Sequence, residues 1–302
     1  MKIAVITLIV LLMMMGGTTQ QPTSQKHYSS PRALYRMDTL FLKANRSQPL
    51  LTNITIQQNE FVYIEVYGKI SVGTFVGETD GAGIPRSSLS LMMYNKYPDF
   101  NHGSVVFLRN GKSPQACVRI LEDLGMKYDL PGVSPDYGID YVPGYYFIAD
   151  EAARLSFDIN DNEPVNNRGE YIIIVLRMSH EDHQARNYFN RCPEKKPNET
   201  DCQGHTWIEE GIKSYYYHGI NDSYRGQGER AGCQCVYDDG RLITKGKNIG
   251  SFDIGYWHFD GDLTKPQAHY YHLILDVLPH DLFEEKLSKA PEYKYQRVER
   301  CE

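Results

Sequence analysis

The 302-residue chain carries a net charge of −6, a pI near 5.9 and no long basic run, which argues against a nucleic-acid partner held through its phosphates. Its hydrophobic content of 41% supports a packed core, and its length allows two domains. The 23 tyrosines against 11 phenylalanines suit a β-rich chain with amphipathic surfaces.

Residues 1–19 read as a secretory signal: Lys2 gives the positive start, Ile3 to Met15 the apolar stretch, and Gly16-Gly17-Thr18-Thr19 the small residues near a cleavage point. No later apolar run reaches spanning length, so no transmembrane segment is expected in the mature chain. Residues 20–47 read as a flexible polar leader to about Arg36, then a first strand over Asp38 to Ala44. From Ser47 the β pattern sets in, with Thr52 to Ile56, Phe61 to Tyr67, Ser88 to Tyr94 and Ser104 to Leu108. Ala116 to Leu124 has the spacing of a short helix, and Asp129 to Gly144 is a Pro-, Gly- and Tyr-rich insertion. Leu155 to Ile159 alternates as a strand, and Glu170 to Leu176 is β-branched enough for a buried one.

Between those two strands stands a dense run of oxygen donors: Asn160, Asp161, Asn162, Glu163, Asn166 and Asn167, ending at Gly169. Carboxylate and amide oxygens at this density suit a hard cation, since calcium takes six to eight oxygens and fills gaps with main-chain carbonyls. The plainer reading is a hairpin loop using Asn and Asp for its turn chemistry. The pattern N-D-x-x-P, N-N-x-G and a strand resembles the calcium loop of the PA-IL-type galactophilic lectins, small galactose-binding-like β-sandwiches. Phe61 to Gly68 with Lys69 to Gly73, the segment FVGETDGAGI from Phe75, Gly103 to Arg109, and Tyr146 to Ala149 resemble further parts of that family, over residues 48–178. The resemblance implies calcium held by Asp161, Asn166 and Asn167 with the carbonyls of Val165 and Val72, and a glycan touching Asp161, Asn162 and Asn166. Two departures stand out. The loop from Asp161 to Asn166 is shorter than in the sugar-binding members, and Ile84-Pro85-Arg86-Ser87 stands where they carry His-Pro-x-Gln.

Residues 179–203 form a polar connector, and 204–302 a Cys-containing region of short strands and Gly-rich turns. Gly232 to Ile243, GCQCVYDDGRLI, reads as a hairpin fixed by cysteines with Asp238-Asp239-Gly240 as its turn. It resembles the signature of AMOP-type extracellular modules, with Gln234 interrupting the cysteine doublet. The even set Cys117, Cys192, Cys202, Cys233, Cys235 and Cys301 reads as disulfides in an oxidising compartment. Cys233 and Cys235 are expected to bond to two different partners among the other four, with the pairing left open. Sequons at Asn45, Asn53, Asn198 and Asn221 add the expectation of a secreted, extracellular glycoprotein.

His180-x-x-His183 and His269-x-x-His272 have spacings that can serve zinc. Ala268 to Val277 reads as a strand, however, where such residues point to opposite faces. No G-x-S-x-G elbow or P-loop lysine is present. The sequence therefore predicts a mainly β protein: a galactose-binding-like β-sandwich followed by a small disulfide-stapled β-rich module. The expected function is non-enzymatic, calcium-dependent binding of glycans or extracellular glycoproteins in lectin-like adhesion. The alternative is a structural or protein-interaction role with the sandwich as scaffold.

Overall fold

A computed structural model of the chain describes residues 28–73, 76–85, 93–117, 144–210, 221–244, 249–262, 264–287 and 297–300. The first strands in chain order are β1 (Arg36–Lys43), β2 (Leu50–Ile56), β3 (Glu60–Tyr67), β4 (Ile70–Ser71) and β5 (Glu78–Thr79). They are followed by β6 (Val105–Arg109), β7 (Lys112–Ala116), β8 (Gly144–Ile148), β9 (Ala153–Ile159) and β10 (Arg168–Ser179). Two antiparallel sheets result. One runs β5-β4-β10-β3-β8 with β1 added on β10; the other runs β2-β9-β6-β7. The protein is mainly β, as its alternating and β-branched segments require.

The two sheets close on a core of Leu42, Ile54, Ile56, Val62, Ile64, Phe107, Leu155, Phe157, Tyr171, Ile173 and Val175. β2 shows the simple pattern of a one-sided strand, with Thr52, Ile54 and Ile56 buried and the residues between them exposed. β3 does not. Val62 and Ile64 face the sandwich core, whereas Phe61 and Tyr63 on the opposite face join a second core with Leu176 and Met178 of β10. That second core is completed from the C-terminal half by Trp207, Tyr224, Tyr237, Leu278 and Phe283.

The covering half begins with α1 (His180–Ala185) and β11 (Arg191–Pro193), which pairs in parallel with β16 (Arg297–Glu299). A four-stranded sheet follows: β12 (Trp207–Glu209), β13 (Asp222–Gly226), β14 (Gln234–Asp238) and β15 (Arg241–Leu242). The β14–β15 turn forms as its residues suggest, with Asp239 and Gly240 at φ of 48° and 72°, the two left-handed positions of a type I′ turn. Then come α2 (Ile254–Trp257), α3 (Pro266–His272), a π-helical turn (Leu273–Val277) and α4 (Leu278–Leu287). Leu34 of a short 3₁₀ turn, Pro31–Leu34, also enters the second core, so the polar leader is anchored from that turn on.

Three expectations need correction. Leu155 to Ile159 and Glu170 to Leu176 are strands, but they are not a hairpin: β9 and β10 lie in opposite sheets, and residues 160–167 cross between them. Both strands feed the same inter-sheet core, Phe157 from one side and Tyr171 from the other. Ala268 to Val277 is helical rather than extended. Leu273 through Leu278 are buried without a break, Asp276 included, so this is a helix buried all round, its backbone bonded within the segment rather than to a neighbouring strand. The third concerns the cysteines. Cys192 and Cys235 are joined and Cys202 is disulfide-bonded, but Cys117 and Cys233 are free buried thiols. Cys117 belongs to the sandwich core and Cys233 to the second core, so the two cannot meet.

The readings for residues 1–27, for the helix beyond Cys117, for the insertion up to Pro143, for most of Ser88 to Tyr94 and for Cys301 lie outside the described residues. The sequon residues Asn45, Asn53 and Asn198 are exposed, and Asn221 is half-buried.

Burial holds the Cys233 thiol up at about 11 and pushes that of Cys117 well above its ordinary value. Non-reducing peptide mapping should return Cys192 linked to Cys235, with Cys117 and Cys233 alkylated only after denaturation. Rapid alkylation of Cys233 in the native protein, or its recovery in a disulfide, would contradict this arrangement.

Candidate functional site

The crossing from β9 to β10 is held by buried polar side chains. Asn160 is fully buried, and its Nδ2 donates to the carbonyls of Tyr97, Phe100 and Asn101 at 3.0, 2.9 and 3.0 Å. Its Oδ1 accepts from the Tyr97 amide at 2.7 Å. Asp158, at the end of β9, receives Lys96 Nζ at 3.1 Å and the Tyr97 hydroxyl at 3.0 Å. The 95–102 segment is thereby clamped against the loop. Gly103 follows at φ +74°, where a Cβ would lie 2.8 Å from Val72 Cγ1, so glycine is required for this close approach.

Asp161 sits at the centre and is 4% exposed. Its Oδ1 accepts from the Glu163 amide at 2.8 Å, and its Oδ2 accepts from Asn167 Nδ2 at 2.9 Å. Asn167 Oδ1 in turn accepts from the Gly73 amide at 3.0 Å, which brings in the turn carrying Val72. The sole cation-forming group within ion-pair distance of Asp161 among the described residues is His102, whose Nε2 lies 3.9 Å from Oδ2. Burial lowers the His102 pKa against the pull of Asp161, and its Nδ1 lies 2.8 Å from Asn95 Oδ1. His102 is therefore neutral at pH 7, and the buried carboxylate has no countercharge beside it among the described residues.

The fold thus gathers Asp161, Asn167 and the Val72–Gly73 turn. Asn166 is exposed beside Gly73, whose Cβ position lies 3.4 Å from Asn166 Nδ2. Val165 is 87% exposed, within the Pro164–Asn166 3₁₀ turn of the same loop. Asn162 turns away from this group, its amide donating to the Tyr94 carbonyl at 2.7 Å and its Nδ2 to the Met93 carbonyl at 3.2 Å. The loop thus holds one carboxylate and two amide side chains, residue types a hard cation takes, with the Asn167 amide nitrogen facing Asp161 and its oxygen bonded to the Gly73 amide. His102 and Asn95 escaped the sequence reading, which sought histidines in pairs. A single His beside a glycine gives no such signal.

A second polar cluster lies in the C-terminal half. Asp253, His272 and Asp276 place oxygen and nitrogen atoms close enough to share one cation. These carboxylates are already engaged. Asp253 forms an ion pair with Arg225, whose Nη1 lies 2.7 Å from its Oδ2, and its Oδ1 accepts from Ser251 Oγ at 2.9 Å. Asp276 caps α2 through the amides of Ile254 and Gly255 at 2.8 and 2.9 Å and meets His272 Nδ1 at 3.2 Å. Arg225, 1% exposed, also reaches Glu210 at 2.6 Å and lies over the Tyr256 ring at 4.3 Å. Burial alone would raise the Asp253 carboxyl, but Arg225 brings it down to about 2. The cluster is a charge-neutralising network that fixes the helices to the β12–β15 sheet.

The paired-histidine spacings do not build a zinc site. His269 Nδ1 meets the Tyr256 hydroxyl at 3.0 Å, while His272 turns to Asp276. His183 is fully buried beside Phe283, and the carbonyl of Asp276 lies near it but outside hydrogen-bond geometry.

A scan against family models finds no match, and a search of curated proteins finds no relative. Among solved structures, the chain is similar to the N-terminal domain of EclA, a PllA-like lectin. The two are 14% identical, with a TM-score of 0.30, over 46% of this chain and 94% of that one.

Two outcomes follow from the buried charges. Arg225→Met leaves Glu210 and Asp253 uncompensated in the interior and should cost about 3–5 kcal/mol, read as a lower urea midpoint. A loss below about 1 kcal/mol would show the network to be dispensable. The second concerns acid. Burial, then Arg186, holds His280 down to about 4, and burial with the same arginine drives His183 well below its ordinary value. Both stay neutral in the fold, while the unfolded chain gains protons as pH falls through about 6.5. Stability conferred by these neutral rings is present above pH 6.5 and lost on descent towards 4. Asp281, raised by burial to about 6, works in the opposite sense below that pH. His280→Asn should remove about 1–2 kcal/mol of the wild-type loss between pH 7 and 5, measured by thermal melts at each pH. Equal slopes for the two proteins would contradict the assignment.

Proposed function

We propose that this is a secreted, non-enzymatic protein that binds carbohydrate or glycoprotein through a calcium ion at the β9–β10 crossing. The observation that carries the reading is Asp161: a carboxylate 4% exposed, beside a neutral His102, among amide and carbonyl oxygens. A buried carboxyl group without a cationic neighbour among the described residues supports a place for a cation here. Asp161, Asn166 and Asn167 would hold it, with the carbonyls of Val165 and Val72. When bound, the ion supplies a positive centre that attracts paired sugar hydroxyls. The chain's own part is to fix the carboxylate through Glu163 and Asn167 and to present the exposed Asn166 at the rim. Secretion is supported by the N-terminal apolar stretch, the Cys192–Cys235 disulfide and the surface position of three sequons. No helix among the described residues is long and apolar enough to cross a membrane.

A second reading rests on the Asn167 amide. It donates to Asp161 and accepts from Gly73, so the loop is closed by its own hydrogen bonds. In that case the sandwich serves as a scaffold for protein contacts, and the C-terminal half, with its AMOP-like hairpin, carries the interaction.

Calcium titration of the chelated protein distinguishes the two. Binding heat and a rise in melting temperature are expected, with about 2.7 kcal/mol of stabilisation at calcium 100-fold above Kd. Asp161→Ala should abolish both effects, and Asn166→Ala should weaken them less. A glycan array with and without chelator then tests the sugar. A wild-type protein indifferent to millimolar calcium would leave the scaffold reading, and equal binding by Asp161→Ala would place the ion elsewhere.

A further inference from the structure

A cleft of about 420 Å³ opens where the start of β1 meets the helices of the C-terminal half, lined by Arg32, Tyr35, Met37, His258, Phe259 and Tyr271. It lies apart from the calcium loop, on the second-core side of the first sheet. Its volume falls in the range of small-ligand sites. The walls are aromatic: His258 and Tyr271 stand 5.7 Å apart by ring centroid, Phe259 and Tyr271 5.5 Å, and Tyr35 and His258 5.9 Å. All four rings are half-buried, so each keeps an accessible portion, and Met37 is 51% exposed at the edge.

Polar groups are few and specifically placed. The Tyr35 hydroxyl and His258 Nε2 are 2.5 Å apart, a fixed pair within the aromatic wall. Burial, then Arg32, keeps His258 below its ordinary pKa, so the ring is neutral at pH 7. Burial raises the Tyr35 phenol, which stays protonated. Arg32 is exposed at the mouth and makes no ion pair among the described residues. The lining therefore carries one formal charge, a guanidinium whose fork matches a carboxylate.

We propose that this cleft binds a carboxylated sugar, such as the uronic or sialic acid residue of an acidic glycan. Its carboxylate pairs with Arg32, its apolar ring face lies on Tyr271 or Phe259, and a hydroxyl meets the Tyr35–His258 pair. Aromatic faces with a single guanidinium favour an acid with an apolar face over a neutral sugar, which leaves Arg32 unused, and over a polyanion, which has one cation to meet. The inference rests on the carbohydrate-binding reading but not on its calcium site, and it names a second subsite with a different ligand class.

The test is calorimetric titration of the full chain in chelator with sodium glucuronate, sodium N-acetylneuraminate and glucose. Wild type, Arg32→Gln and Arg32→Lys are compared. At least one acid should bind wild type in chelator at least about tenfold tighter than glucose. Arg32→Gln should weaken that acid about tenfold or more, and Arg32→Lys should fall between because it keeps the charge and loses the fork. Arg32 is at the surface, so neither variant threatens the fold, and unchanged melting temperatures verify this. Absence of binding by both acids, glucose binding as tightly, or equal affinity in Arg32→Gln would each overturn the proposal. Loss of calcium binding with acid binding intact would instead remove the calcium loop from the proposed function and leave this cleft standing.

Discussion

Phe61 and Tyr63 alternate along β3 with Val62 and Ile64, and each pair leaves water on a different side of the same sheet. Leu176 and Met178 on β10 repeat the demand beside Ile173 and Val175. A free-standing sandwich needs apolar residues on the inner faces alone. Here the outer face carries large side chains as well, each contributing roughly 1.5–3 kcal/mol when buried. The first sheet is consequently the middle layer of the molecule. The β2-β9-β6-β7 sheet covers one side, and Trp207, Tyr224, Tyr237 and Phe283 help cover the other.

This arrangement explains where the buried polar chemistry falls. The C-terminal half docks through aromatic and aliphatic side chains but is small and carries many charged residues. Arg225, Glu210, Asp253, Arg186 and Asp276 pair internally instead of facing solvent. Gly255 permits the tight approach, since a Cβ there would lie 2.1 Å from the His272 amide. Tyr270 adds a polar tie across the layers, its hydroxyl donating to Glu65 at 2.5 Å and standing 2.7 Å from the Tyr63 hydroxyl. The β9–β10 crossing lies where the chain changes sheet, its turns closed by the Ile159, Asn160 and Pro164 carbonyls. The aromatic cleft lies where the C-terminal half meets β1.

Much of this was legible in the sequence. Period-two alternation placed β2 and β9, and β-branched density placed β10. The Asp238-Asp239-Gly240 turn was readable because type I′ geometry needs two residues tolerant of positive φ. The partner of each strand was not readable. Leu155 to Ile159 and Glu170 to Leu176 look like a hairpin in one dimension, and a three-dimensional core alone separates them into opposite sheets. The helix through Leu273 to Val277 was hidden by aromatic and histidine residues that imitate a strand. Within the candidate site, Asp161 and Asn167 stood out by composition. His102, some sixty residues earlier, reaches Asp161 through the packing of β6 against β9, which no local pattern reports.

The first sheet requires a cover on both faces, so the sandwich and the C-terminal half form one cooperative body. Expression of residues 28–179 alone is the test, because truncation leaves Phe61, Tyr63, Leu176 and Met178 exposed. The fragment is expected to self-associate or bind a hydrophobic dye strongly, and to lack a sharp thermal transition. A monomeric fragment that melts cooperatively at the temperature of the full chain would contradict it.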